Sequence, residues 1–195
     1  MKKSELRELY LDKKSNLTSE EVSAFSKSIF TNFLSQFPLN QNQKIHCFLS
    51  IPEKNEVDTG LFLKAFFEIG IRVFVPKIFK GKIISVEIKR KTPLLKNSWG
   101  ILEPESNEDS KTKDFDYVIT PLLYCDTQGN RVGYGKGFYD GFFSEIESSA
   151  IKIGVSFFPP EEKVDDVWGN DIPLDYLVTP TEVLSFGSFA PKSTK

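Results

Sequence analysis

Residues 117–125 form a near-continuous apolar run, followed by a short turn over 126–130 and then by Gly133, Gly135 and Gly137 alternating with other residues. A run of that kind is the pattern of a strand buried on both faces. Beyond the glycines, Tyr139, Phe142, Phe143 and Ile146 recur at helical spacing, which predicts a helix over about 138–148. Glycine lets backbone N–H groups approach a ligand closely. A glycine-rich turn entering a helix N-terminus also gathers unpaired amides and the positive end of the helix dipole, so it is a natural anion site. Strand, glycine loop and helix in this order point to an α/β sheet with its ligand beyond the carboxyl ends of the strands.

The flanking pattern agrees. Residues 45–50 and 71–78 read as strands and 58–69 between them as a helix ending at Gly70, a unit that predicts parallel pairing. A helix is expected over 2–14, and a second from a capping box at Thr18 and Glu21 to a stop at Pro38. Further strands are expected at 82–88, 151–157, 176–179 and 183–186, with 89–114 as a polar loop or insert. The fold class is therefore α/β: a single domain over 1–187, with a mostly parallel open sheet flanked by helices and extra late strands, then a tail at 188–195. Length fits, since 195 residues suit one domain.

A net charge of −2 gives no reason to expect a nucleic-acid or membrane partner. The N-terminus lacks an apolar leader, and Cys47 and Cys125 each sit in an apolar run, so buried free thiols and a cytoplasmic location are expected. A monomer is expected. The only histidine, His46, lies inside a strand and reads as structural; one histidine excludes a multi-histidine metal site.

Several residues carry competing readings. Arg131 and Lys136 add cations to the glycine loop, or decorate a bare turn. Asp140 falls in the first turn of the predicted helix, where it favours the dipole or binds magnesium with phosphate oxygens. Asp171 and Asp175 are turn formers or a second carboxylate. Lys3 and Arg7 share one helix face, solvated or turned to phosphate. Trp99 and Phe138 are core, or walls for a flat ligand. Glu56 is an exposed turn residue, or faces a ligand just beyond strand 45–50.

The string from Asp126 through Gly129-Asn130-Arg131, the three glycines and Phe138-Tyr139-Asp140 resembles the signature of the 5-formyltetrahydrofolate cyclo-ligase family. Lys3…Leu6-Arg7, Glu56-Val57-Asp58-Thr59, Gly100-Ile101-Leu102-Glu103-Pro104 and Asp171…Asp175…Thr179 are similar to its other motifs, in order. Phe138 stands where many members have tyrosine. The resemblance implies ring closure of 5-formyltetrahydrofolate to 5,10-methenyltetrahydrofolate with ATP and Mg²⁺, through a phosphorylated formyl intermediate. It assigns ATP to Lys3, Arg7, Arg131, Gly133, Tyr134, Gly135, Lys136, Gly137, Phe138 and Tyr139. Reduced folate falls to Glu56, Ile51, Trp99, Tyr134 and Phe138, magnesium to Asp140 and Asp171, and catalysis to Lys136, Arg131 and Tyr139. Readings from other classes are a non-catalytic folate or nucleotide binder, a sugar-phosphate isomerase or transferase using Glu56 or Glu103, and an RNA binder.

Overall fold

In a computed structural model, residues 1–97 and 101–187 are described. Trp99 and the expected tail at 188–195 lie outside them. The elements are α1 (Lys3–Ser15), α2 (Ser19–Gln36), β1 (Lys44–Cys47), α3 (Gly60–Ile69), β2 (Arg72–Phe79), β3 (Lys82–Ile88), β4 (Leu94–Lys96), β5 (Leu102–Pro104), β6 (Tyr117–Pro121), β7 (Tyr124–Cys125), β8 (Arg131–Val132), α4 (Phe138–Glu145), β9 (Ile151–Val155), β10 (Tyr176–Val178) and β11 (Val183–Ser185).

Seven strands form the main sheet in the order β11-β10-β9-β6-β1-β2-β3. The inner five pair in parallel, and β3 and β11 pair antiparallel at the edges. From β1 the chain moves one way to β2 and then, from β6, the other way to β9 and β10. The order therefore reverses between β1 and β6, and a crevice opens there beyond the strand ends.

Strand alternation sorts the core into two layers. Ile45, Cys47, Val73, Val75, Tyr117 and Ile119 face α2 and α3, where Phe33 packs edge-on against Phe62 at 5.2 Å between ring centroids. Phe74, Val118 and Leu177 face the other way, onto Phe142 and Phe143 of α4. His46 alternates to that second face and lies 4.5 Å from the Phe142 ring. Both cysteines are buried free thiols. The α2 cap forms as the sequence predicts: Glu21 N donates to Thr18 Oγ1 at 3.2 Å, and Thr18 N donates to Glu21 Oε2 at 2.8 Å.

Three expectations change. The run 117–125 is two strands, because its second half leaves the main sheet after Pro121. Tyr124 and Cys125 pair instead with Val132 and Arg131, and Leu123, Tyr124 and Val132 bury Leu6 and Tyr10 of α1. Arg131 is consequently a strand residue. Strands 45–50 and 151–157 end early, at Cys47 and Val155, since their last residues turn out of the sheet to line the crevice. The segment 89–114 contains the β4–β5 hairpin. Lys77 Nζ fixes it from below by donating to the carbonyls of Pro104, Glu105 and Ser106 at 2.7, 3.1 and 3.2 Å. Among the described residues, no helix is long and apolar enough to cross a membrane.

Candidate active site

The turn after β7 is set by one carboxylate. Asp126, fully buried, accepts from Gln128 N and Asn130 N at 2.9 Å, from Asn130 Nδ2 at 3.0 Å and from Val164 N at 3.2 Å. Gly129 completes the turn at φ +83°, and a side chain there would strike the Leu174 carbonyl oxygen at 2.8 Å. This frame launches β8 and the glycine loop in a fixed direction.

Two recesses flank that loop. The first lies at the crevice between the ends of β1, β6 and β9, lined by Phe48, Val57, Pro121, Leu122, Leu123, Val155, Ser156, Phe157 and Phe158, with Lys14 and Glu56 as its charged members. Glu56 is buried. Its Oε2 accepts from Ile51 N at 2.9 Å and its Oε1 from the Tyr134 hydroxyl at 3.0 Å. Burial pushes the Glu56 carboxyl above the usual carboxylate range, against the opposing pull of Lys14. Burial likewise lowers the Lys14 ammonium, while Glu56 supports it. A mostly apolar slot with one carboxylate and one ammonium suits a flat heterocycle carrying both donors and acceptors.

The second recess is polar, lined by Lys3, Asn130, Arg131, Asp140, Asp171, Ile172 and Pro173. Arg131 Nη2 donates to Asp140 Oδ1 at 2.6 Å, Arg131 Nη1 donates to the Ile172 carbonyl, and the guanidinium lies 4.7 Å from the centre of the Phe143 ring. Burial lowers the Arg131 guanidinium, with Asp140 opposing. Lys3 Nζ donates to Asp171 Oδ2, and Trp168 N donates to the same oxygen at 2.5 Å. Burial raises the Asp171 carboxyl, but the Lys3 ammonium and the Trp168 amide outweigh it and hold the group below its ordinary value. Arg7 Nε donates to the Gly133 carbonyl at 2.8 Å, and its guanidinium passes where a Gly135 side chain would stand, 3.3 Å from that position.

The structure thus brings Lys3, Arg131, Asp140 and Asp171 together, Arg7 beside them, and Glu56, Ile51 and Tyr134 at the other recess. Lys136 is exposed on the loop tip with Gly135 and Gly137. Phe138 and Tyr139 turn inward onto the α4 core layer, and the Tyr139 hydroxyl is buried with no hydrogen-bond partner among the described residues. Burial drives that phenol well above its usual range.

Asp140 and Asp171 fit a magnesium ion in donor type. Each spends one oxygen on its neighbours, and Asp140 Oδ2 and Asp171 Oδ1 make no hydrogen bond among the described residues. Two carboxylates completed by phosphate oxygens and water are an ordinary Mg²⁺ set. Among the described residues, no cluster of three or more His, Cys, Asp or Glu would hold a metal without such help.

The profile of the 5-formyltetrahydrofolate cyclo-ligase family matches residues 1–180. The chain belongs to that family. A probable 5-formyltetrahydrofolate cyclo-ligase of Schizosaccharomyces pombe is 28% identical, with 94% of this chain and 98% of the relative covered. The 5-formyltetrahydrofolate cyclo-ligase of Mycoplasma genitalium is 27% identical over 90% of this chain and 96% of its own. The solved 5,10-methenyltetrahydrofolate synthetase of Aquifex aeolicus superposes with a TM-score of 0.82 at 29% identity, covering 100% of this chain and 97% of the other. In the fold, α1 lies across β7 and β8 and carries Arg7 to the Gly133 carbonyl of the glycine loop and Lys3 to Asp171.

Lys14, Asp126 and the Ser156–Phe158 corner (156–158) were missed as site residues in the sequence. Lys14 had a signal: it follows Arg7 by two helical turns and extends the basic stripe of Lys3 and Arg7. The corner carried none, because its apolar residues read as the end of a strand.

Proposed function

We propose that the protein closes the ring of 5-formyltetrahydrofolate to 5,10-methenyltetrahydrofolate, consuming Mg-ATP and releasing ADP and phosphate. The observation that carries this reading is that one short stretch, β8 and the glycine loop that follows it (131–137), reaches both recesses. Arg131 faces the polar one, and Tyr134 the slot holding Glu56.

The slot would hold the pterin, with Glu56 accepting from its N–H edge and the Ile51 amide fixing the carboxylate. The polar recess and the glycine amides would hold the triphosphate, with Lys3, Arg7, Arg131 and Lys136 balancing its charge. When bound, magnesium on Asp140 and Asp171 would neutralise phosphate charge. The formyl oxygen attacks the γ-phosphorus, the bond to the β-bridging oxygen breaks, and ADP leaves. The N10 nitrogen then adds to the activated formyl carbon and loses its proton. Cleavage of the C–O bond expels phosphate and leaves the methenyl bridge. The protein supplies alignment and charge, the two main contributions in phosphoryl transfer. No enzyme nucleophile is needed: burial raises the thiols of Cys47 and Cys125, which disfavours the reactive thiolate form.

We further propose that the protein acts as a monomer in the cytoplasm. Incubation with 5-formyltetrahydrofolate and Mg-ATP should give methenyl-folate absorbance and one ADP per turnover. Binding of both ligands without turnover would leave a non-catalytic folate and nucleotide binder.

A further inference from the structure

Tyr134 belongs to the glycine loop and is 36% exposed, yet its hydroxyl reaches the charged pair of the other recess, Glu56 and Lys14. The hydroxyl donates to Glu56 Oε1 at 3.0 Å and accepts from Lys14 Nζ at 3.3 Å. The ammonium groups of Lys14 and Lys54 lie 5.8 and 5.1 Å from its ring centre. With Ile51 N on Oε2, both oxygens of Glu56 are in use. A heterocycle that donates to Oε1 from the phenol's direction competes with the phenol for that place.

The loop itself is otherwise lightly held. Its second side-chain tether is Arg7 on the Gly133 carbonyl. Gly135 and Gly137 have φ of +87° and +67°, and side chains added at Gly133 or Gly137 would touch nothing within 4 Å. Arg7, a cation expected on phosphate, spends its Nε on the loop's own carbonyl. One short segment thus carries both the phenol on Glu56 and the carbonyl on Arg7.

We propose that Tyr134 is a latch coupling the two ligand sites. Seated on Glu56, it excludes the folate's heterocycle and holds the glycine loop and Arg7 away from phosphate. Displacing it opens both. The first ligand bears the cost of unlatching and the second does not, so the two bind with positive cooperativity. This rests on the function proposed above.

The test is calorimetric titration of the wild-type protein and Tyr134→Phe with 5-formyltetrahydrofolate and with a non-hydrolysable ATP analogue plus Mg²⁺, each alone and at saturating levels of the other. In the wild type, folate should tighten the nucleotide about 5- to 30-fold, with the same factor in reverse. In Tyr134→Phe the factor should fall to about two or less, and folate alone should bind more tightly than to the wild type, because the competing hydrogen bond is gone. Equal coupling in both proteins, or weaker folate binding by the variant, would overturn the latch while leaving the proposed function standing. Failure of either ligand to bind the folded wild type would overturn both. A second reading needs no variant: folate alone should speed amide exchange at Gly135 and Gly137, and unchanged exchange would also refute the latch.

Discussion

Asp126→Ala is expected to be the most damaging single change near the site that touches no proposed ligand contact. The carboxylate is fully buried and accepts four hydrogen bonds, from Gln128 N, Asn130 N, Asn130 Nδ2 and Val164 N. The Val164 amide is buried and would lose its partner outright, costing ~2 kcal/mol, the range for an orphaned donor. The other three donors are partly buried, so water recovers some of their loss, and each contributes ~0.5–1 kcal/mol. The total, ~4 kcal/mol, is a large part of the ~5–15 kcal/mol that holds a domain folded. For a chain of 195 residues that corresponds to a fall in Tm of ~8–16 °C. Urea unfolding and a thermal scan on both proteins measure it. Asp126→Asn keeps one acceptor oxygen and should fall about midway. A Tm for Asp126→Ala within about 2 °C of wild type would refute the claim that this carboxylate organises the turn.

Gly135→Ala should weaken Mg-nucleotide binding about tenfold, the factor for ~1.4 kcal/mol, because φ is +87° and the new Cβ would lie 3.3 Å from Arg7 Nε; an unchanged Kd would count against Arg7 as a phosphate ligand. Burial holds the His46 imidazole neutral, its pKa down to about 3. The unfolded chain takes up that proton near pH 6.5 and the folded one does not. Stability is thus full above pH 6.5 and should fall by ~1.4 kcal/mol per pH unit below it. His46→Phe should remove that slope between pH 6.5 and 5 in urea titrations, and an identical slope would contradict it. Lys136→Ala should lower kcat about 100-fold with the KM for folate within about twofold, as for a charge acting mainly in the transition state; near-normal turnover would remove the residue from that role. Asp140→Asn should raise the Mg²⁺ concentration giving half-maximal rate, and an unchanged titration would argue against ligation.

Local periodicity made most of the fold legible. Leu61, Phe62, Ala65 and Phe66 before Gly70 mark α3 because burial follows the 3.6-residue turn, and β2 reads clearly because alternate residues serve opposite layers. The run 117–125 misled because apolar content reports burial but not which partner does the burying. The same residues can pair in the main sheet or cover α1. Of the candidate site, the glycine loop was visible because its requirement is local: backbone without side chains. The Tyr134–Glu56 contact joins residues 78 apart and obeys no periodicity, so only the fold reveals it. Lys14 was passed over for a related reason. Its charge is ordinary on a helix, and only its burial among Glu56, Phe157 and Phe158 distinguishes it.

Lys3 and Asp171 meet across 168 residues of chain. At ~5–20 residues per second on the ribosome, the first of these waits ~8–34 s for the second. A nascent chain can assemble the sheet around β1, β2 and β6 in that interval, yet the recess still lacks Asp171, Ile172 and Pro173. Truncated translation products would therefore lack this recess, which is complete only when the last quarter of the polypeptide docks.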